Sequence, residues 1–210
     1  MNGEQIIEQF NLYVDDGSEL SSEEELQLLN KVYRQVLDEK DWVFLRKPFS
    51  GSTSTSVPYI ALPADFKNIA VNYYEDQEPD QVVFVGTTFD KYKIIPFSQR
   101  RNYRDVDGYC YLDMLNRRLY FTKQPTAVKT VEYDYLYAPD DLTLATAPVF
   151  DPTGVLGHSI IIMHGMVVDF YSIEATEKER AYYNENAAAY NKVLGRMANV
   201  NLKNYGSLNY

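Results

Sequence analysis

The spacing of apolar residues changes twice along this chain, and the two changes divide its 210 residues into three blocks. In the first block, Leu26, Leu29, Val32, Tyr33, Val36 and Leu37 fall within an arc of about 140° at the helical repeat, with Glu24, Lys31, Arg34 and Asp38 opposite. Ser22 and Glu25 have capping-box spacing, which predicts a helix starting there and ending in Trp42. Ile6, Ile7 and Phe10 predict a shorter helix before it, closed by Asp15-Asp16-Gly17. A helix that is apolar on one side needs a partner surface.

The second block alternates with the period of a strand. Ser50–Ser56 reads as a low-complexity hinge, and Pro58–Leu62 as an edge strand that stops at Pro63-Ala-Asp65-Phe66. Strand signals recur near Ile69–Tyr74, Gln81–Val85 and Tyr92–Ile95. Gly108–Asp113, Arg118–Thr122 and Lys129–Tyr137 read as a three-strand meander. In its last strand Val131, Tyr133, Tyr135 and Tyr137 share one face, opposite Thr130, Glu132, Asp134 and Leu136. Tyr133, Tyr135 and Tyr137 are candidate subunit-interface aromatics, because tyrosine joins an apolar ring to a polar tip and is enriched where proteins meet. The chain holds nineteen tyrosines, about half of which half-buried strands alone would account for.

The third block is helical again. Asp151-Pro152-Thr153 predicts a helix start, and from Val155 to Ile173 apolar residues occupy most of the circumference, which predicts burial on nearly all sides. Gly157 and Gly165 are expected to be close-approach points for a neighbouring helix. A last helix over Thr176–Asn199 places Tyr182, Tyr183, Ala187, Tyr190, Val193, Leu194 and Met197 on one side. Val200–Tyr210 reads as an extended tail with one charge, in which Leu202, Tyr205, Leu208 and Tyr210 are anchors for a partner. The layout predicts an α+β protein: an α-helical bundle of residues 1–49 and 139–199, an inserted, mostly antiparallel β-domain over 57–138, and the tail 200–210.

Charge excludes one class of partner. Residues 1–50 carry eleven acids against five bases, residues 51–139 eleven against ten, and residues 140–210 eight against five, for a net charge of −10. Such a chain repels phosphate, so nucleic-acid binding through counterion release is disfavoured. Arg100, Arg101 and Arg104 form the only basic cluster and read first as a solvated turn, with a phosphate or carboxylate contact as the alternative. One cysteine, Cys110, leaves no internal disulfide and no cysteine-rich zinc site. No N-terminal signal core is visible, and the longest apolar stretch falls short of the ~20 residues that cross a bilayer, so no membrane contact is expected.

No catalytic constellation, metal site or cofactor motif is expected. His158 and His164 lie six residues apart, about 120° around a helix axis, and cannot converge on one ion. Each reads as a helix-interface histidine. No phosphate-binding loop, dinucleotide fingerprint or nucleophile elbow occurs. Asp15 and Asp16, Asp105 and Asp107, and Asp140 and Asp141 read as turn residues without the spaced oxygen pattern of a calcium loop.

Four pieces of the chain, in order, resemble a known family. They are the helix ending in Trp42-Val-Phe44, the step Tyr59-Ile-Ala-Leu62-Pro63-Ala-Asp65-Phe66, the tyrosine-rich strands, and the run from Pro148 to Met166. Together they resemble the head-to-tail adaptor (connector) proteins of tailed bacteriophages, including the tail-tubular type. The resemblance implies a helical bundle carrying an inserted β-domain, with no enzymatic activity. It also implies a homo-oligomeric ring, commonly a 12-mer, at the head–tail junction of the virion. The portal protein and the next tail or ring protein would be its partners, with DNA passing through the lumen without sequence-specific binding. The protein would be made in the host bacterial cytoplasm. The other class open to this sequence is a tail-associated β-domain that binds carbohydrate or another tail protein on its aromatic face.

Overall fold

The computed structural model describes residues 1–14, 20–71, 81–154, 156–172 and 177–207. It is a mixed α+β protein whose elements fall into two compact units, one of Met1–Phe44 with the chain from Pro139 onward, the other of Leu45–Ala138.

Among the described residues the first unit holds four α-helices: α1 (Gly3–Tyr13), α2 (Ser22–Asp38), α3 (Ile160–Phe170) and α4 (Glu177–Ser207). Asn2 and Gln5 form a capping box that starts α1, and its one-sided pattern buries Ile6, Ile7 and Phe10. The capping box of α2 is Ser21 with Glu24, one residue before the expected pair. That choice frees Glu25, which is buried and accepts a hydrogen bond from Asn11 Nδ2 at 2.9 Å. α2 stops at Asp38, short of Trp42. The indole is nonetheless fully buried, stacks on Phe44 at 5.4 Å, and donates from Nε1 to the Val36 carbonyl at 2.8 Å.

α3 is the element the others pack on, touching α1, α2 and α4. It begins later than expected, at Ile160, because Gly154 and Gly157 adopt left-handed backbone angles (φ 70° and 64°) that interrupt a helix. Gly165 sits where α2 and α4 come closest to α3: a Cβ there would lie 2.4 Å from Val32 Cγ1 and 3.2 Å from the Tyr190 ring. Gly157 has open space around it and is not a close-approach point. α4 runs on to Ser207, which corrects the expected helix end near Asn199 and the extended conformation of residues 200–207. No proline follows Met197, and the first glycine after it is Gly206, so nothing in the sequence breaks the helix sooner. Leu202 and Tyr205 therefore sit on a helix, while Leu208 and Tyr210 lie outside the described residues, as does the Asp15–Gly17 break.

The second unit is one large, nearly closed sheet of eight strands: β1 (Arg46–Ser52), β2 (Tyr59–Ala61), β3 (Phe66–Ile69), β4 (Val82–Val85), β5 (Asp90–Ile94), β6 (Tyr109–Asp113), β7 (Arg118–Phe121) and β8 (Thr130–Tyr137). Among the described residues six of the seven strand pairings are antiparallel, and β5 with β6 is parallel. Two expectations need correction. Residues 46–52 form a strand paired with β8 along its whole length, although Ser50–Ser56 was expected to be a hinge and the helical block to reach residue 49. β1 is an edge strand, where Pro48 is tolerated because its missing N–H can face outward. Nor do the last three strands form a meander, since β7 pairs with β6 and β2, while β8 lies between β1 on one side and β3 and β4 on the other. Alternation carries one side of these strands inward, where Ile60, Phe66, Val83, Val85, Cys110, Leu119, Phe121 and Val131 pack together.

Candidate interaction surface

The face of β2, β7 and β6 that points away from this core carries an aromatic stack closed at both ends by arginine. Register brings Tyr59 opposite Tyr120, and Tyr120 opposite Tyr111. The Tyr111 and Tyr120 rings are parallel within 4° at 5.3 Å, and Tyr59 tilts 53° against Tyr120 at 5.1 Å. Phe97, 45% exposed in the crossover between β5 and β6, meets Tyr111 edge-on at 5.7 Å. Arg118 covers Tyr59 at 4.0 Å and donates from Nη1 to the Tyr120 hydroxyl at 3.2 Å. Arg100 covers Phe97 at 3.9 Å and donates to the Phe97 carbonyl at 2.8 Å.

The chemistry of this surface follows from what it leaves open. Guanidiniums lie over the two terminal rings, Tyr59 and Phe97, and the inner rings of Tyr111 and Tyr120 stack on one another. Three phenols and two cations on one partly exposed face suit carboxylates and other hydrogen-bond acceptors. Partial burial, with the neighbouring Tyr120 and Asp113, raises the Tyr111 pKa against the opposing pull of Arg100. The Tyr120 hydrogen bond raises that of Arg118. At neutral pH Tyr111 is a donor and Arg118 a cation. Within the basic cluster, Arg100 belongs to the stack, Arg101 is exposed, and Arg104 makes a solvent-exposed ion pair with Asp105 at 3.6 Å.

Tyr133, Tyr135 and Tyr137 are not on this surface. Tyr133 and Tyr135 are 3% and 6% exposed, within the sheet core, and Tyr137 is half-buried against it. Their face of β8 is the inward one, packed on Phe49 and Phe66, and alternation separates the two faces of a strand without saying which of them meets the core. The step Leu62–Phe66 has a structural role. Asp65 accepts from the Tyr135 hydroxyl at 3.0 Å and from Lys47 at 2.7 Å, its carbonyl accepts from the Ala138 N–H, and Arg117 donates to the carbonyls of Pro63 and Ala64. The Lys47 ammonium, foremost among the causes, holds the Asp65 carboxyl below its ordinary pKa.

In the helical unit, the polar groups that could have been chemical are bound into packing. Asp151 is fully buried and accepts hydrogen bonds from the N–H groups of Leu156, His158 and Ser159 and from the Ser159 hydroxyl. Burial raises its pKa, but these bonds outweigh burial and leave it below the ordinary value. His158 precedes α3 rather than lying on it, and burial lowers its pKa. His164 Nδ1 is 2.7 Å from Asn186 Oδ1, and Asn186 Nδ2 donates to the Tyr182 carbonyl, which leaves Nδ1 as the donor. Cys110 is fully buried and its thiol is pushed up to about 12 by burial, which removes it as a nucleophile. Among the described residues no group of three or more histidines, cysteines or carboxylates could hold a metal ion, and no helix is long and apolar enough to cross a membrane.

The described residues thus form a two-unit α+β fold whose sheet unit carries an arginine-capped tyrosine face. The family model described as SU10 adaptor protein matches residues 1–207, and the chain belongs to that family. Membership agrees with the phage-adaptor resemblance read in the sequence and points to a structural role as a virion component. No curated protein matches the chain.

Proposed function

We propose that this protein is a head-to-tail adaptor of a tailed bacteriophage, a homo-oligomeric ring of the connector type that joins the portal to the next tail component. The observation that carries this reading is the family match over residues 1–207. In this reading the helical unit is a bundle into which the β-domain is inserted. The ring is twelve-fold and encloses the path of the DNA at the head–tail junction. Two features support it. The helical unit carries nineteen acids against eight bases, so DNA would slide past it without adhering. The end of α4 and the residues after it, with Leu202, Tyr205, Leu208 and Tyr210, are the portal-docking element. A ring offers many copies of this weak element at once, which raises its effective concentration. The carbohydrate reading gains nothing from the stacked, arginine-covered rings.

The test is mass and shape. The purified chain, alone and mixed with its portal protein, is measured by light scattering after size exclusion and by negative-stain microscopy. A closed ring that stacks coaxially on the portal is expected. A chain that stays monomeric alone and with the portal would sink the proposal.

A further inference from the structure

Charge is divided between the two units far more sharply than the net value reveals. The helical unit has nineteen acids and eight bases, whereas the sheet unit has eleven acids and twelve bases. The sheet unit is therefore close to neutral beside a strongly acidic helical unit, and its cations on the stack are Arg100 and Arg118. Arg100 and Arg118 are spent on ring faces and on carbonyl or phenol oxygens, and neither makes an ion pair among the described residues.

The helical unit offers the complement. On α1, Glu4, Glu8 and Leu12 follow at steps of four, which places them in one row on the side away from Ile6 and Phe10. All three are exposed, Leu12 to 76%, and neither glutamate is paired among the described residues. A leucine left in water beside two carboxylates matches, in both polarity and charge, a surface of aromatic rings, phenol hydroxyls and two guanidiniums that make no ion pair among the described residues.

We propose that the stack from Arg118 to Arg100 is the docking face for the α1 row of a second copy of this chain. The inference rests on the ring reading above and deepens it by naming the faces that meet. The two faces differ, so the contact is heterologous: each copy uses its stack on one neighbour and its α1 on the next. Such a contact propagates until it closes into a ring or runs on as a filament. It is also electrostatic, and so it weakens with added salt.

The experiment uses the full chain and two charge reversals, R100E/R118E and E4K/E8K, each checked for wild-type circular dichroism and melting. Assembly is followed by sedimentation at low and high salt. The wild type is expected to assemble, and each variant alone to lose assembly or show an apparent Kd raised at least ~10-fold. An equimolar mixture of the two variants is expected to regain it, since reversed stack meets reversed α1 and the two native faces meet each other. If a reversal unfolds the chain, R100Q/R118Q replaces it, with the same ~10-fold weakening expected. Assembly of R100E/R118E at wild-type mass would overturn the docking face while leaving the ring reading intact. A folded pair of variants that fails to recover on mixing would overturn it equally. Loss of portal binding with self-assembly unchanged would assign the stack to a different protein and overturn self-docking. A wild type that is monomeric even with the portal would remove both readings.

Discussion

Val32 Cγ1 occupies the place beside Gly165 where any larger residue would put its first side-chain carbon, 2.4 Å from that carbon's position. α2 and α3 can approach this closely only because residue 165 has no side chain. Val32 is fully buried and β-branched, so it cannot rotate away. Gly165→Ala is therefore expected to overpack the helical unit and cost ~1–3 kcal/mol despite alanine's better helix propensity. Urea midpoints of the two proteins measure it, and a stabilised variant would show that α2 and α3 are not in this contact.

Trp42→Ala is expected to cost ~3–5 kcal/mol, since a fully buried indole, its stacking on Phe44 and its bond to the Val36 carbonyl are lost together. A loss below ~1 kcal/mol would mean the ring is not a core residue.

Asp151 gives the helical unit an acid-sensitive point. Its folded pKa is below the ordinary value, so on acidification the unfolded chain takes up this proton first. Its contribution is complete above the ordinary carboxylate pKa of ~3.9 and is lost as pH falls through the lower, folded value. The stability difference between wild type and Asp151→Asn should thus be flat from pH 7 to about 5 and shrink below about 4. A difference that does not change down to about pH 3 would contradict the buried, four-donor setting.

Cys110 reports on the integrity of the sheet unit. With the thiol fully buried and its pKa at about 12, alkylation at pH 8 should be negligible in the native protein and should appear in step with unfolding in urea. Rapid labelling of the native protein would show that β6 opens locally.

Deleting residues 200–210 should leave the helical unit folded, because the described buried positions of α4 end at Met197. Attachment to portal-bearing heads should be lost. Wild-type occupancy by the truncated chain would remove Leu202, Tyr205, Leu208 and Tyr210 from the docking role.

What could be read in the sequence was what repeats locally. The 3.6-residue period found the buried faces of α1, α2 and α4, and alternation found every strand from β4 to β8. Three features could not be read because they depend on distant residues. Arg46–Ser52 carries a proline, a glycine and two serines, and it is a strand because β8 offers an edge to it. Residues 151–159 look like a first helical turn, but the Asp151 carboxylate gathers their N–H groups into a loop. The arginine-capped stack joins Tyr59, Tyr111 and Tyr120 from three strands through register, and no spacing within one strand reveals that. Its one sequence signal is an outward tyrosine on each of those strands, and without the strand order it pointed to β8 instead.

The pairing of Arg46 with Leu136 sets a timetable for the ribosome. β1 leaves the tunnel long before β8, its partner strand among the described residues, exists, and at ~5–20 residues per second the wait is on the order of 5–20 s. During that interval a nascent chain displays an open strand to every neighbour on the same message. Lys47 and Pro48, placed in the middle of β1, are the residues that make such a strand a poor template for another chain. The helical unit waits longer still, since α1 and α2 must hold exposed apolar faces until α3 has been synthesised. Replacing Pro48 with a good strand former would strengthen β1 in the finished protein and at the same time raise the chance that it pairs with the wrong molecule before it is finished.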